Sequence, residues 1–189
     1  MTVTTLAPAP LAADTVLAGF EVATLVRCGA RTPGMVEFDR AGPAHRLSRL
    51  MVALGLSGRQ DSYVAGGYHR YTVHRVISSD LRARVIGEGW LAGYRRLCAV
   101  EACASPRQRR HRDDLAGAAW RAALLAAATR GGSGPLAVRV ADADLALVLV
   151  RAGRVLGAPV SLRTRGGRHA VQVAAGPYSE RVRLVSRVS

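Results

Sequence analysis

The sequence predicts an α+β protein made of two tandem copies of one small unit, each an antiparallel sheet with helices packed on one face. Three observations predict it. The fragment Gly66-Gly67-Tyr68-His69 leading into Arg70-Tyr71-Thr72-Val73 returns about one hundred residues later as Gly166-Gly167-Arg168-His169 leading into Ala170-Val171-Gln172-Val173. Each is a Gly-Gly turn opening an alternating run, the signature of a hairpin. Leu17-Ala18-Gly19-Phe20 and Leu115-Ala116-Gly117-Ala118 each open an apolar stretch at helical spacing. The segments between these landmarks follow the same order in both copies, and agreement among neighbours outweighs any single match.

In chain order, the first helix of each copy runs to about Gly29 and to about Thr129, with Asp14 and Thr15 or Asp113 and Asp114 suited to the positive helix N-terminus. Breaks follow at Arg31-Thr32-Pro33-Gly34 and at Gly131-Gly132-Ser133-Gly134-Pro135. A strand comes next in each copy, at residues 35–39 and 136–140, and then a second helix at 43–56 and 142–156, each ending near a glycine, Gly55 or Gly157. The hairpins take outer strands at 60–64 and 160–165 and inner strands at 68–76 and 168–173. A short helix closes the first copy around 80–86, and residues 178–188 close the second. This divides the chain into a flexible tail at 1–13, a first repeat at 14–94, a basic linker at 95–112 and a second repeat at 113–189.

Of 189 residues nearly half are apolar, enough to bury a core. The formal charge is +14 with a pI near 11.4, and such a surplus attracts polyanions, nucleic acid first among them. All 27 basic residues are Arg, which fits forked phosphate contacts and equally a GC-rich coding bias. Cys28, Cys98 and Cys103 form no CxxC pair, so neither a disulfide framework nor a zinc ribbon is indicated and a reducing compartment is expected. Arg interrupts every apolar run short of a membrane span, and the Ala- and Pro-containing N-terminus lacks a basic leader region. The expectation is a cytoplasmic protein with no membrane partner. His45, His69, His74, His111 and His169 are scattered without metal-ligand spacing, and no Walker loop, nucleophile elbow or dinucleotide fingerprint occurs. No metal and no cofactor is expected.

A helix, sheet and helix in duplicate, each copy headed by a helix rich in small residues, resembles the LAGLIDADG fold, and more specifically the WhiA family of bacterial regulators with its degenerate LAGLIDADG body. Ala118-Ala119-Trp120-Arg121-Ala122-Ala123-Leu124-Leu125-Ala126-Ala127 resembles that family's second signature helix, and Ala23-Thr24-Leu25-Val26-Arg27-Cys28-Gly29 its first. Residues 68–76 and 168–173 resemble its hairpin strands. Proteins similar to WhiA continue into a C-terminal helix-turn-helix domain, whereas this sequence stops at Ser189 just after the second copy, so a body without that reading head is expected. In the LAGLIDADG arrangement the signature helices cross on a pseudo-dyad, which implies that small residues four apart, Gly19 and Ala23 against Ala119, Ala123 and Ala127, make the contact.

A LAGLIDADG nuclease needs an acid at the foot of each signature helix to hold divalent metals. Those seats correspond to Gly29 and Ala127, so the resemblance implies no cleavage and no catalytic residue. Strand alternation with Tyr71, Val73, Val171 and Val173 turned to the core leaves Arg70, Thr72, His74, Arg168 and Gln172 outward. Joined by Arg59, Arg139, Arg163 and Arg165, they form the expected saddle for double-stranded DNA, the arginines on phosphates and Thr72, His74 and Gln172 within reach of base edges. By the resemblance the expected role is non-catalytic transcriptional regulation linked to cell division or differentiation, with a transcription-factor protein as a second partner. The alternative is a protein-interaction module acting as accessory or competitor of a full-length WhiA-like regulator.

Overall fold

The computed structural model describes residues 12–98, 105–128 and 135–187. Most of the expected tail, Cys103 and the Gly131–Gly134 break lie outside the described residues. The first half runs α1 (Ala13–Cys28), β1 (Ala30–Thr32), β2 (Met35–Phe38), α2 (Ala41–Ala53), β3 (Arg59–Ala65), β4 (Tyr71–Ile77), a 3-10 turn at Ser79–Arg82, and α3 (Arg84–Cys98). The second half runs α4 (Pro106–Ala127), β5 (Leu136–Val140), α5 (Ala143–Val155), β6 (Val160–Arg165), β7 (Arg168–Val173) and α6 (Pro177–Val185).

Each half holds one antiparallel sheet, in the order β1-β2-β4-β3 or β5-β7-β6. The place of β1 is taken in the second half, among the described residues, by a bridge from Ala128 to Val138. Arg31 and Thr32, expected to break the chain, instead pair with Val36 and Met35 around a turn in which Gly34 takes φ +75. The second Gly-Gly pair is a two-residue hairpin turn with φ +56 and +71, both of which favour glycine. The first pair begins a longer loop, so β4 starts at Tyr71 rather than at 68.

Helix ends depart from expectation in three places. The basic segment 95–112 is not a free linker: Arg95 and Arg96 form the last turn of α3, and residues 106–112 the first turns of α4. A capping box fixes the start of α4, the Ser105 hydroxyl accepting from the Gln108 amide while the Gln108 side chain accepts from the Ser105 amide. Asp113 and Asp114 therefore lie within that helix rather than capping it. The short closing helix expected at 80–86 resolves into the 3-10 turn and the fifteen-residue α3. Its buried residues Ile86, Gly89, Trp90, Gly93 and Leu97 recur at helical spacing, but two of them are glycines.

Those glycines let α3 cross α1 closely. A Cβ on Gly89 would stand 2.6 Å from the Gly19 carbonyl carbon, and one on Gly93 would stand 2.2 Å from the Phe20 ring. Gly19 therefore serves α3, and the expectation that it meets α4 on the dyad is corrected. Its counterpart Gly117 likewise admits the closing helix of its own half, a Cβ there falling 2.8 Å from a Val185 methyl. α1 does pack along α4, and of the alanines expected at that crossing Ala23, Ala119 and Ala123 are buried while Ala127 is half-buried. A single apolar core runs through both halves, from Phe20, Val36 and Leu47 to Trp120, Leu149 and Val171. Burial of side chains of this size stabilises by about 1.5–3 kcal/mol each, which makes the halves one cooperative body.

Candidate nucleic-acid interface

In the second half, β5, β7 and β6 pair so that Leu136 with Val173 and Val138 with Val171 face the core, as Val140 does opposite His169. Strand alternation then turns Arg139, Arg163, Arg165, Arg168 and Gln172 to the opposite face. All five line one open concavity of about 600 Å³, together with Thr164, His169 and Ala170. Among the described residues none of these four arginines is paired with a carboxylate. The Thr164 hydroxyl and His169 Nδ1 lie 3.0 Å apart across the hairpin and tie its two strands together near the turn.

The first sheet reverses the expected parity. Val76 pairs with Val36, and His74 with Phe38, so the even-numbered residues of β4 share the face that packs on α2. Thr72 and His74 lie on that face and not on the outward one, a correction that follows from the two-residue period of a strand. Val73 is 7% exposed but belongs to the outward face, opposite Tyr63 and apart from the main core. The outward face instead presents Glu37, Arg59, Asp61, Tyr63, Tyr71 and Arg75. Here charges are matched: Arg75 donates to Asp61 at 2.8 Å, Arg59 stands 3.7 Å from the same carboxylate, and the Tyr63 hydroxyl donates to Glu37 at 3.0 Å. The Arg75 guanidinium also covers the Tyr63 ring at 5.0 Å. The Arg75 hydrogen bond and the Ser62 amide hold the Asp61 carboxyl below its ordinary range.

Of the expected contacts, the structure thus gathers Arg139, Arg163, Arg165, Arg168 and Gln172, and disperses the rest. Arg59 is engaged by Asp61, Arg70 is exposed just before β4, and His74 lines a separate hollow with Ala41, His45, Gln60, Asp61 and Ser62. His45 and His74, far apart in sequence, meet in that hollow. No group of three His, Cys, Asp or Glu able to hold a metal ion occurs among the described residues. No described helix is long and apolar enough to cross a membrane.

Between the halves, the feet of the signature helices carry no carboxylate. The last helical residue and cap are Cys28 and Gly29 for α1, and Ala127 and Ala128 for α4. Burial, with Asp142 beside it, pushes the Cys28 thiol up to about 12, so it stays protonated. Two crosswise contacts close this region. Arg27 at the end of α1 donates to Asp142 at 2.5 Å, the residue that caps α5, while Arg40, at the start of α2, donates to the Ala128 carbonyl at 2.9 Å. Arg31 stands 3.6 Å from Asp142 as well.

Sequence reading also misses a buried triad. Glu21 of α1, 2% exposed, accepts paired hydrogen bonds from Arg46 of α2 and from Arg121 of α4, all between 2.8 and 3.0 Å. Burial pushes the Glu21 carboxyl up, but the hydrogen bonds and charges of Arg121 and Arg46 outweigh it and hold the group below its usual range. Nothing local signals such a pairing, because the partners lie 25 and 100 residues away.

No family description matches the chain, and no curated protein matches it in sequence. Solved structures do. The full-length DUF199/WhiA protein of Thermotoga maritima superposes with a TM-score of 0.63 at 10% identity, over 96% of this chain and 58% of that one. The present chain therefore spans little more than half of that protein. The N-terminal LAGLIDADG domain of DUF199/WhiA gives the same TM-score and identity over 96% of this chain and 87% of the domain. The homing endonuclease I-DmoI, solved in complex with DNA and Mn, reaches a TM-score of 0.55 at 12% identity over 92% and 99% of the two chains. Two sheets, two signature helices meeting across a pseudo-dyad, and superposition along nearly its whole length establish that this chain has the α+β LAGLIDADG fold, with a body similar to the N-terminal domain of WhiA.

Proposed function

We propose that this chain is a non-catalytic protein that binds double-stranded DNA chiefly through the sheet face of its second half. The observation that carries the reading is the gathering of Arg139, Arg163, Arg165 and Arg168 around one concavity with no carboxylate paired to them among the described residues. Guanidinium groups on three neighbouring strands suit the phosphates bordering a groove, and Gln172, between them, carries the donor and acceptor needed at a base edge. The DNA-bound state of I-DmoI, a protein of the same fold, supports the reading.

Duplex titration over a range of salt concentrations tests it. The expected result is affinity falling linearly with log salt, at about 0.9 per phosphate neutralised, and falling sharply in the Arg163→Glu/Arg168→Glu double variant. Retention of full affinity by that variant overturns the proposal. The absence of acids at the ends of α1 and α4 underlies the non-catalytic part, and metal-dependent nicking of plasmid DNA by the pure protein would refute it. The biological role proposed, by likeness to WhiA, is transcriptional control in cell division or differentiation. Sequencing of DNA recovered with the protein from its native cytosol tests that role, with enrichment at promoters of division genes expected.

A further inference from the structure

The two halves differ in how their closing helices are seated. In the first half the fifteen-residue α3 packs on α1 and also reaches α5 across the dyad. In the second half the nine-residue α6 packs on α4 but does not pack closely on α2. A cavity of about 520 Å³ opens between α2, α4 and α6. Its walls are Gly42, His45, Arg46 and Arg49 from α2, Arg121, Leu124 and Leu125 from α4, and Arg183, Ser186 and Arg187 from the end of the chain.

Five arginines therefore converge here, and no carboxylate lines the space. Glu21, beneath the floor, engages Arg46 and Arg121. Arg49, Arg183 and Arg187 have no ion-pair partner among the described residues. Holding so many like charges together is unfavourable unless an anion joins them, and the excess is too large for a single carboxylate. Leu124 and Leu125, one turn beyond Arg121 on α4, give the cavity an apolar portion, and Gly42 of α2 leaves room beside Leu125. An apolar slot with convergent guanidinium groups is the chemistry of a pocket for a planar body bearing phosphates. The lining comes from α2, α4, α6 and the turn that follows α6, not from the cationic sheet face.

We infer that the cavity between α2, α4 and α6 binds a nucleoside di- or triphosphate, with Arg49, Arg183 and Arg187 on the phosphates and Leu124 and Leu125 against the base. Because its walls come from both halves, occupancy ties α2 to α4 and α6 and stabilises the folded body by mass action.

The test uses the full chain freed of bound nucleotide, with ADP, ATP and inorganic pyrophosphate as probes in isothermal titration calorimetry and thermal melting. ADP and ATP are expected to bind and raise Tm, the Arg183→Ala/Arg187→Ala variant to lose at least tenfold in affinity, and Arg163→Glu/Arg168→Glu to bind as the native chain does. Pyrophosphate is expected to bind more weakly than ADP, and Leu125→Asp to remove that difference. Absence of nucleotide binding at millimolar concentration overturns the inference. So does equal weakening by the sheet-face and cavity variants, the mark of unspecific attraction to a basic protein, or pyrophosphate binding as tightly as ADP. Since the sheet-face variant retains nucleotide binding but loses duplex, failure here and failure of the DNA-binding reading are separately visible.

Discussion

The two sheets share one strand plan and differ in what they offer solvent. On the first, Asp61 and Glu37 answer Arg59 and Arg75, and Tyr63 lies beneath a guanidinium, so the face is nearly neutral and partly aromatic. On the second, Arg139, Arg163, Arg165 and Arg168 stand without acids among the described residues. Net charge alone does not distinguish the two faces; the placement of a few carboxylates does, and on the proposed reading it is what directs a polyanion to the second half.

The largest effect expected is structural and separates the halves by their helix crossings. Gly89→Val forces a branched side chain against the Gly19 backbone, which cannot yield as a side chain does. Overpacking commonly costs about 1–3 kcal/mol, and a backbone collision belongs at or beyond the top of that range. Loss of cooperative thermal unfolding, or a Tm lowered by more than about 10 °C on the scale of several degrees per kcal/mol, is expected by circular dichroism.

Of the same order is the loss expected at the triad that joins the halves. Glu21→Leu leaves Arg46 and Arg121 beside an apolar group in a place where they are largely buried, and breaking a buried ion pair in this way costs about 3–5 kcal/mol. Urea denaturation reads the loss. The same group gives an acid dependence. Because the folded Glu21 carboxyl is held below its unfolded value of 4.5, its contribution is complete above that value and is lost as pH falls through the lower, folded one. Stability of the native chain is therefore expected to fall below pH 4.5 with a component that the Glu21→Leu variant lacks.

Smaller effects concern the faces themselves. Charge reversal at Arg163 and Arg168 is expected to weaken duplex binding about a hundredfold at low salt, since several phosphate contacts would turn repulsive. Reversal of Arg59 should change it only a few-fold, because Asp61 already answers that residue. Asp61→Asn sharpens the contrast: it frees Arg59 and Arg75, makes the first face resemble the second, and is expected to tighten binding a few-fold in electrophoretic mobility shifts. The smallest change is expected from Gly117→Ala. The Cβ meets a Val185 methyl at 2.8 Å and the Val185 carbonyl oxygen only at 3.4 Å, so a small shift of the last turn of the nine-residue α6 relieves it, and alanine gains up to about 1 kcal/mol of helix propensity. A near-neutral Tm there, beside a large loss at Gly89, would establish that the two crossings are built differently.

Much of this arrangement is legible in the sequence, and the remainder fails for identifiable reasons. The paired Leu-Ala-Gly openings and the Gly-Gly hairpins locate the duplicated unit, because helix starts and tight turns are written in local residues. The outward face of β7 follows directly, since Val171 and Val173 fix the parity. On β4 both Val73 and Val76 are apolar at a spacing of three, so a two-residue period can satisfy only one of them. The choice falls to Val76 through its partner Val36, which no local pattern reveals. The length of α3 is obscured because Gly89 and Gly93, its contact residues, are poor helix formers. The cavity cations and Glu21 are joined only by long-range packing, beyond any reading of spacing.

The crosswise grip of Arg27 on Asp142 and of Arg40 on the Ala128 carbonyl has a mechanical result. Each half clasps the far end of its sibling's long helix, so neither rod can slip lengthwise past the other. Added to the shared core and the Glu21 triad, these four residues at the seam brace the distance between the two sheets from the side where both long helices end.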